Sequence, residues 1–368
     1  MNEPPDIDMA DINQIKKYLI NYGDHILKHE CIKSKFQYLN YVESIFQKVD
    51  NYSQKIIYRG LFSLCRDITP AIRERALNVL SEQAPIPLDW IPFTISKGED
   101  ISENDLDPEL IKFLKNSKVF VGTIGMCLED PYPKVKTAAI LALVKSIIIE
   151  PKSSIASQVM NAITQLTNDT QFVRTTAVKG LYQISTIVGH FITLEDSQLR
   201  LVLPVIFDKD SPLSGRIDVL NFIGRLKVIS TNQMSAVFDD LAKIDLDRCD
   251  WGVVLTTAYT FGRNNSSFAR VALLKFFEKP CIWAYPYSRV LTQLLVIYGA
   301  NDESPFPLPR EIQAYGPRFI PLLMLLRRQY EKNKLAFQID DKQLNKSIDN
   351  QLALEINKAA EEFIEAEE

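Results

Sequence analysis

Apolar residues recur along most of this chain at spacings of three and four, the pattern of helices that bury one face. Val173, Ala177, Leu181, Ile184 and Val188 follow one another at steps of four, four, three and four, making one stripe. Ahead of it, Val159, Ile163 and Leu166 make a shorter stripe, which predicts a first helix ending near Thr167. Asn168 to Gln171 then reads as the turn between two antiparallel helices.

The same pattern returns elsewhere. An Asp is followed by a short turn, an apolar residue beside a base, Ala three residues beyond the base and Leu seven beyond it. Three stretches carry it whole: Asp67, Arg73, Ala76, Leu80; Asp130, Lys136, Ala139, Leu143; and Asp169, Arg174, Ala177, Leu181. A fourth, Asp210, Arg216, Val219, Ile223, lacks the Ala, and a weaker fifth, Arg270, Leu273, Phe277, follows Asn264-Asn265 in place of the Asp. The bases at 73, 136, 174, 216 and 270 lie 63, 38, 42 and 54 residues apart. The two middle steps fall near the roughly 40–47-residue period of two-helix HEAT and armadillo repeats. Each Asp is expected to cap its second helix through a backbone N–H, worth about 1 kcal/mol. Each Ala would let the neighbouring helix approach closely.

The prediction is an all-α solenoid of HEAT/armadillo type, with about seven helix pairs stacked at about 10 Å each and extending some 70 Å. Three segments are expected: N-terminal helices at 1–53, the repeats at 54–300, and a proline-punctuated connection with charged amphipathic helices at 301–368. The first segment holds helical patterns at Asn13–Leu27 and Lys33–Val49. An acidic, proline-containing insertion at 84–109 reads as a surface loop, partly disordered. Pro280 to Pro321 holds seven prolines around one apolar helix, Val290 to Tyr298. Residues 310–346 carry eight Lys/Arg against four acids, and 347–368 carry seven acids and only Lys358. Ile348, Leu352, Ile356, Ala359 and Phe363 give that last segment the spacing of an amphipathic helix.

Composition narrows the function classes. Glycine, at 13 of 368 residues, is about half its usual share, which disfavours glycine-dependent nucleotide-binding folds. A net charge of -4 argues against a generic nucleic-acid coat. Cys31, Cys65, Cys127, Cys249 and Cys281 are too dispersed for CxxC zinc or redox chemistry and read as reduced thiols. No basic, apolar leader opens the chain and no run is long enough to span a bilayer, so an intracellular, soluble protein is expected.

Candidate chemistry is sparse. His25 and His29 share a helix face, but the Glu30 that follows is out of order for HExxH and no third ligand is near. His190 has no nominated nucleophile, and Gly122 to Gly125 lacks a P-loop lysine and reads as helix packing. The repeated bases have two readings: a basic stripe, or stems that pack along the stack with their heads on an Asp of a neighbouring turn. Arg327 and Arg328 in the basic C-terminal region are the best candidates for contact with an anionic partner. No catalytic, cofactor or metal residue is expected.

Three runs in order go beyond a generic repeat: "FVGTIGMCLEDPYPKVKTAAILALVKSI", "NAITQLTNDTQFVRTTAVKGLYQIS" and "ITLEDSQLRLVLPVIFDKD". With "RDITPAIRERALNVL" upstream and "FARVALLKFF" downstream, the stretch from about 54 to 300 resembles subunit 4 of the Integrator complex. That resemblance implies a nuclear, non-enzymatic HEAT-repeat scaffold of snRNA 3′-end processing and transcription regulation. Its partners would be other protein subunits, any RNA contact would be indirect, and no membrane, cofactor or small-molecule substrate is implied. Some cytoplasmic presence is compatible with it. The runner-up is a vesicle-coat adaptor, since adaptin and coatomer trunks share the helical architecture and similar "EDPY" turns.

Overall fold

A computed structural model of the chain describes residues 15, 18–20, 31–96, 119–189, 191–207, 213–244, 250–278, 287–313 and 316–336. Every regular element among them is helical; the one β feature is an isolated bridge between Ile192 and Leu226. Backbone contacts divide the chain into two compact units, Met1–Ile184 and Ser185–Glu368. The segments expected at 1–53, 54–300 and 301–368 do not coincide with these units. Helix packing runs on past residue 53, and residue 300 falls inside a helix.

In the first unit the helices are α1 (Ile32–Ile45), α2 (Asn51–Leu64), α3 (Pro70–Glu82), α4 (Ile91–Ile95), α5 (Thr123–Leu128), α6 (Pro133–Ile149) and α7 (Ser153–Thr164). Helix α8 (Gln171–Val188) begins in it. Helices α1, α3 and α6 pack side by side in succession, and α2, α5 and α7 lie against them as a second layer. Prolines at the first positions of α3 and α6 suit the start of a helix, where the missing N–H costs nothing. The core is the predicted set: Ile72, Ala76, Leu80, Val135, Ala139, Leu143, Val173, Ala177 and Leu181 are wholly buried. The packing role expected of Gly125 is met by a close approach: a Cβ there would run into the backbone carbonyl of Ile95.

The first part of the 84–109 insertion is packed, not a surface loop. Ile86, Trp90 and Phe93 are buried. Trp90 meets the Tyr58 and Phe120 rings edge-on at 5.0 and 5.3 Å. The prolines there mark short helical turns, and burial of a large aromatic outweighs the local loop propensity. The acidic run at 99–107 lies outside the described residues, as do Asp210 and the segment 347–368.

The second unit holds α9 (Asp196–Val202), α10 (Leu213–Arg225), α11 (Thr231–Leu241), α12 (Trp251–Asn264), α13 (Ala269–Phe277), α14 (Tyr287–Glu303), α15 (Arg310–Gln313) and α16 (Gly316–Ala336). Helices α10, α12 and α14 form one layer in chain order, and α9, α11 and α13 form the other. Both units therefore show packed helical layers compatible with an α-solenoid. Arg270 is a second correction: it opens α13, in the other layer, and is exposed. The place matching the bases of earlier helices is the fourth position of α12, which is the buried Val254.

Candidate interaction surface

Bases stand at the fourth position of α1 (Lys35), α3 (Arg73), α6 (Lys136) and α8 (Arg174). From there they tie successive turns of the first unit together. Lys35 Nζ donates to Asp67, in the turn ahead of α3, at 2.5 Å. Arg73 reaches Asp130, ahead of α6, with both arms of its fork, at 2.7 and 3.1 Å. Lys136 donates to Asp169, ahead of α8. Arg73 also donates to the Asp67 carbonyl at 2.7 Å, and Arg174 to the Asp169 carbonyl at 2.9 Å. Of the two readings of the repeated bases, these contacts match stems that pack along the stack with heads on neighbouring turns. Lys35 extends the series by a member that the pattern hides, because Tyr38 stands where later helices have Ala. Arg216, on α10, is half-buried.

Asp67 and Asp130 do not stand at the N-caps of α3 and α6 as expected; they and Asp169 bond the turns. Their second oxygens close the preceding turns, accepting from the Thr69 amide at 2.8 Å, the Tyr132 amide at 2.9 Å and the Thr170 amide at 2.6 Å. The N-cap positions of α3 and α6 fall to Thr69 and Tyr132. Burial alone would raise the Asp67 and Asp169 carboxyls, but hydrogen bonds from Lys35, Lys136 and the turn amides outweigh it and hold both below 3.8. The unfolded chain therefore binds more protons in acid than the folded one. The stabilisation is complete above the ordinary pKa and is lost as pH falls through the lower folded values. Denaturant midpoints should be level from pH 7 to about 5 and fall below about 4. Asp67→Asn/Asp169→Asn should flatten that fall; an unchanged acid limb in the variant would refute the assignment.

The ladder fixes what lies over it. Ile68 is 91% exposed, Tyr132 51% and Phe172 60%. All three sit at or beside the N-terminal ends of α3, α6 and α8, on the turns the ion pairs hold. Tyr132 is steadied by the Arg73 guanidinium 5.7 Å from its ring centre. Between the helix ends runs a groove of about 670 Å³ lined by residues of α3, the start of α6 and the start of α8, among them Pro70, Tyr132, Pro133, Val135 and Phe172. Large exposed aromatics clustered over a rigid base mark a surface suited to contact with another molecule. These residues lie off the apolar stripes, so helical spacing does not mark them.

Arg327 donates both arms of its fork to Asp302, at 2.6 and 2.5 Å, which ties α16 to α14, and its side chain stays 50% exposed. Arg328 beside it is exposed. The same Asp302 accepts from Tyr259 Oη on α12 at 2.7 Å. Burial, then the hydrogen bond and charge of Asp302, push the Tyr259 phenol well up. Arg263, stacked 4.0 Å over the Tyr330 ring, joins Glu303 at 2.8 Å and Glu331 at 3.1 Å. These partners are 25 to 68 residues apart in sequence, and no local pattern announces them.

Cys65 and Cys127 are buried, with the Cys127 thiol 3.4 Å from the Cys65 carbonyl, and burial pushes the Cys65 thiol up. Among the described residues no three His, Cys, Asp or Glu side chains converge as a metal site requires. His25, His29, His190, Cys249 and Cys281 lie outside those residues. No described helix is long and apolar enough to cross a membrane. The chain matches no family model, and no curated protein is significantly similar to it.

Proposed function

We propose that this chain is a non-enzymatic scaffold of HEAT/armadillo type that joins protein subunits in an Integrator-like nuclear assembly for RNA 3′-end processing and transcription regulation. The observation that carries the scaffold reading is the exposed apolar edge of Ile68, Tyr132 and Phe172 on turns locked by three ion pairs. A rigid base keeps the ordering cost of binding low, so modest contact area yields useful affinity. Support for the repeat type comes from two layers of helices with a base at a fixed helical position. Support for the particular assembly is the ordered motif run of residues 54–300. Its partners are protein subunits, and any RNA contact passes through them.

Affinity purification of the tagged full chain from its native cells tests this. Integrator subunits should co-purify, and Phe172→Asp should lose at least one of them while the chain keeps its melting temperature. Recovery of vesicle-coat or microtubule proteins without Integrator subunits would sink the assembly. An unchanged partner list for Phe172→Asp would sink the edge as the contact.

A further inference from the structure

We infer that the groove between the N-terminal ends of α3 and α6 takes a short peptide segment of a partner protein, with an aromatic or branched aliphatic anchor flanked by charges of opposite sign. This rests on the edge being an interaction surface and adds the chemistry of what it recognises. The groove's volume, about 670 Å³, falls within the roughly 300–1,000 Å³ of sites that hold small ligands or side chains. Six of its eight lining residues are Pro70, Ala71, Tyr132, Pro133, Val135 and Phe172, so the occupant's buried part is apolar.

The charges decide the flanks. Of the residues lining the groove only Glu74, on α3, and Lys134, on α6, are charged. Neither takes part in an ion pair among the described residues, in contrast to their neighbours. Arg73 and Arg75 next to Glu74 are committed to Asp130 and Glu43, and Lys136 beyond Lys134 to Asp169. The groove thus offers one uncompensated anion on α3 and one uncompensated cation on α6. A carboxylate of the occupant meets Lys134, a Lys or Arg meets Glu74, and the anchor lies between them. That polarity also sets the direction in which the segment lies.

The test uses two fluorescein-labelled hexapeptides, Lys-Gly-Phe-Leu-Gly-Asp and Asp-Gly-Phe-Leu-Gly-Lys, with an anchorless Lys-Gly-Gly-Gly-Gly-Asp control. Binding to the full chain is read by anisotropy at low ionic strength, where exposed charges act most strongly. One of the two phenylalanine peptides should bind at least about fivefold tighter than its charge-reversed partner. The double variant Glu74→Lys/Lys134→Glu should invert that preference. Phe172→Ala should weaken both by about tenfold or more with unchanged preference, as loss of an aromatic anchor does. All three positions are partly or largely exposed, so the variants fold, and a melting curve for each verifies it. Binding no better than the control overturns the groove as a peptide site. A preference that survives the charge swap overturns the assigned flanks. Peptide binding with the swap as expected, but no Integrator subunits on purification, would overturn the assembly and leave the groove.

Discussion

Gly262→Ala should destabilise the second unit by more than about 3 kcal/mol, although alanine is the better helix former by about 1 kcal/mol. At Gly262 a Cβ would lie 2.8 Å from the carbonyl carbon of Val296 and 2.9 Å from its Cα. The approach is reciprocal, since a Cβ on Gly299 would lie 3.1 Å from the Tyr259 carbonyl carbon and 3.2 Å from the Arg263 nitrogen. Helices α12 and α14 meet backbone to backbone through this pair, so relief requires moving a whole helix and not turning a side chain. Moving α14 would also pull Asp302 and Glu303 away from Tyr259 and Arg263. Gly224 supplies the contrast. A Cβ there meets its nearest atom, Thr257 Cα, at 3.7 Å, an ordinary contact. Gly224→Ala should therefore be neutral or stabilising by up to about 1 kcal/mol. Chemical denaturation of both variants decides the matter; equal stabilities would show that the close packing of α12 on α14 is misplaced.

Asp130→Ala should cost about 3–5 kcal/mol, the range for removing one partner of a buried ion pair. The Arg73 and Asp130 side chains are only 12% and 7% exposed, so the abandoned guanidinium has little water to turn to. The Tyr132 amide loses its acceptor as well, which loosens a residue that lines the groove. Adding Arg73→Met should recover much of the loss, because the uncompensated charge leaves with it. Lys152→Ala, which breaks a pair with side chains 54% and 53% exposed, should change stability by no more than about 1 kcal/mol. A double-mutant cycle on Arg73 and Asp130 with coupling below about 0.5 kcal/mol would remove the ladder from the account of stability.

These two sites differ in how far they could be read in advance. Arg73, Lys136 and Arg174 stand out in the sequence because a base, an Ala and a Leu recur at fixed offsets, and a fixed offset on a helix is a fixed direction in space. Their aspartates were visible too, though as helix caps. The geometry that makes them ladder rungs depends on where the neighbouring turn lies, which spacing within one helix does not encode. Arg270 shows the opposite failure. Its offsets to Leu273 and Phe277 imitate the pattern, yet it opens a helix of the other layer. The fourth position of α12 is instead the buried Val254, where no base marks the helix. Lys35 is less legible, because the large, fully buried Tyr38 stands where α3, α6 and α8 carry Ala.

Residues 84–96, the first part of the 84–109 insertion, are packed although four prolines and an acidic run outweigh Trp90 and Phe93 when only local composition is counted. The Trp90 ring packs against Tyr58 and Phe120, which lie about 30 residues away on either side. Likewise the groove charges Glu74 and Lys134 look like any solvated pair until the ion pairs around them are known.

Helical periodicity and the recurring Asp–base–Ala–Leu offsets were enough to predict the helices seen among the described residues and their buried faces, because side-chain direction along one helix follows from residue number. Which base meets which carboxylate, where α12 and α14 close to backbone contact, and which aromatic rings are left outside were settled only by packing. Those features depend on distances between segments tens of residues apart, and no local spacing carries that information.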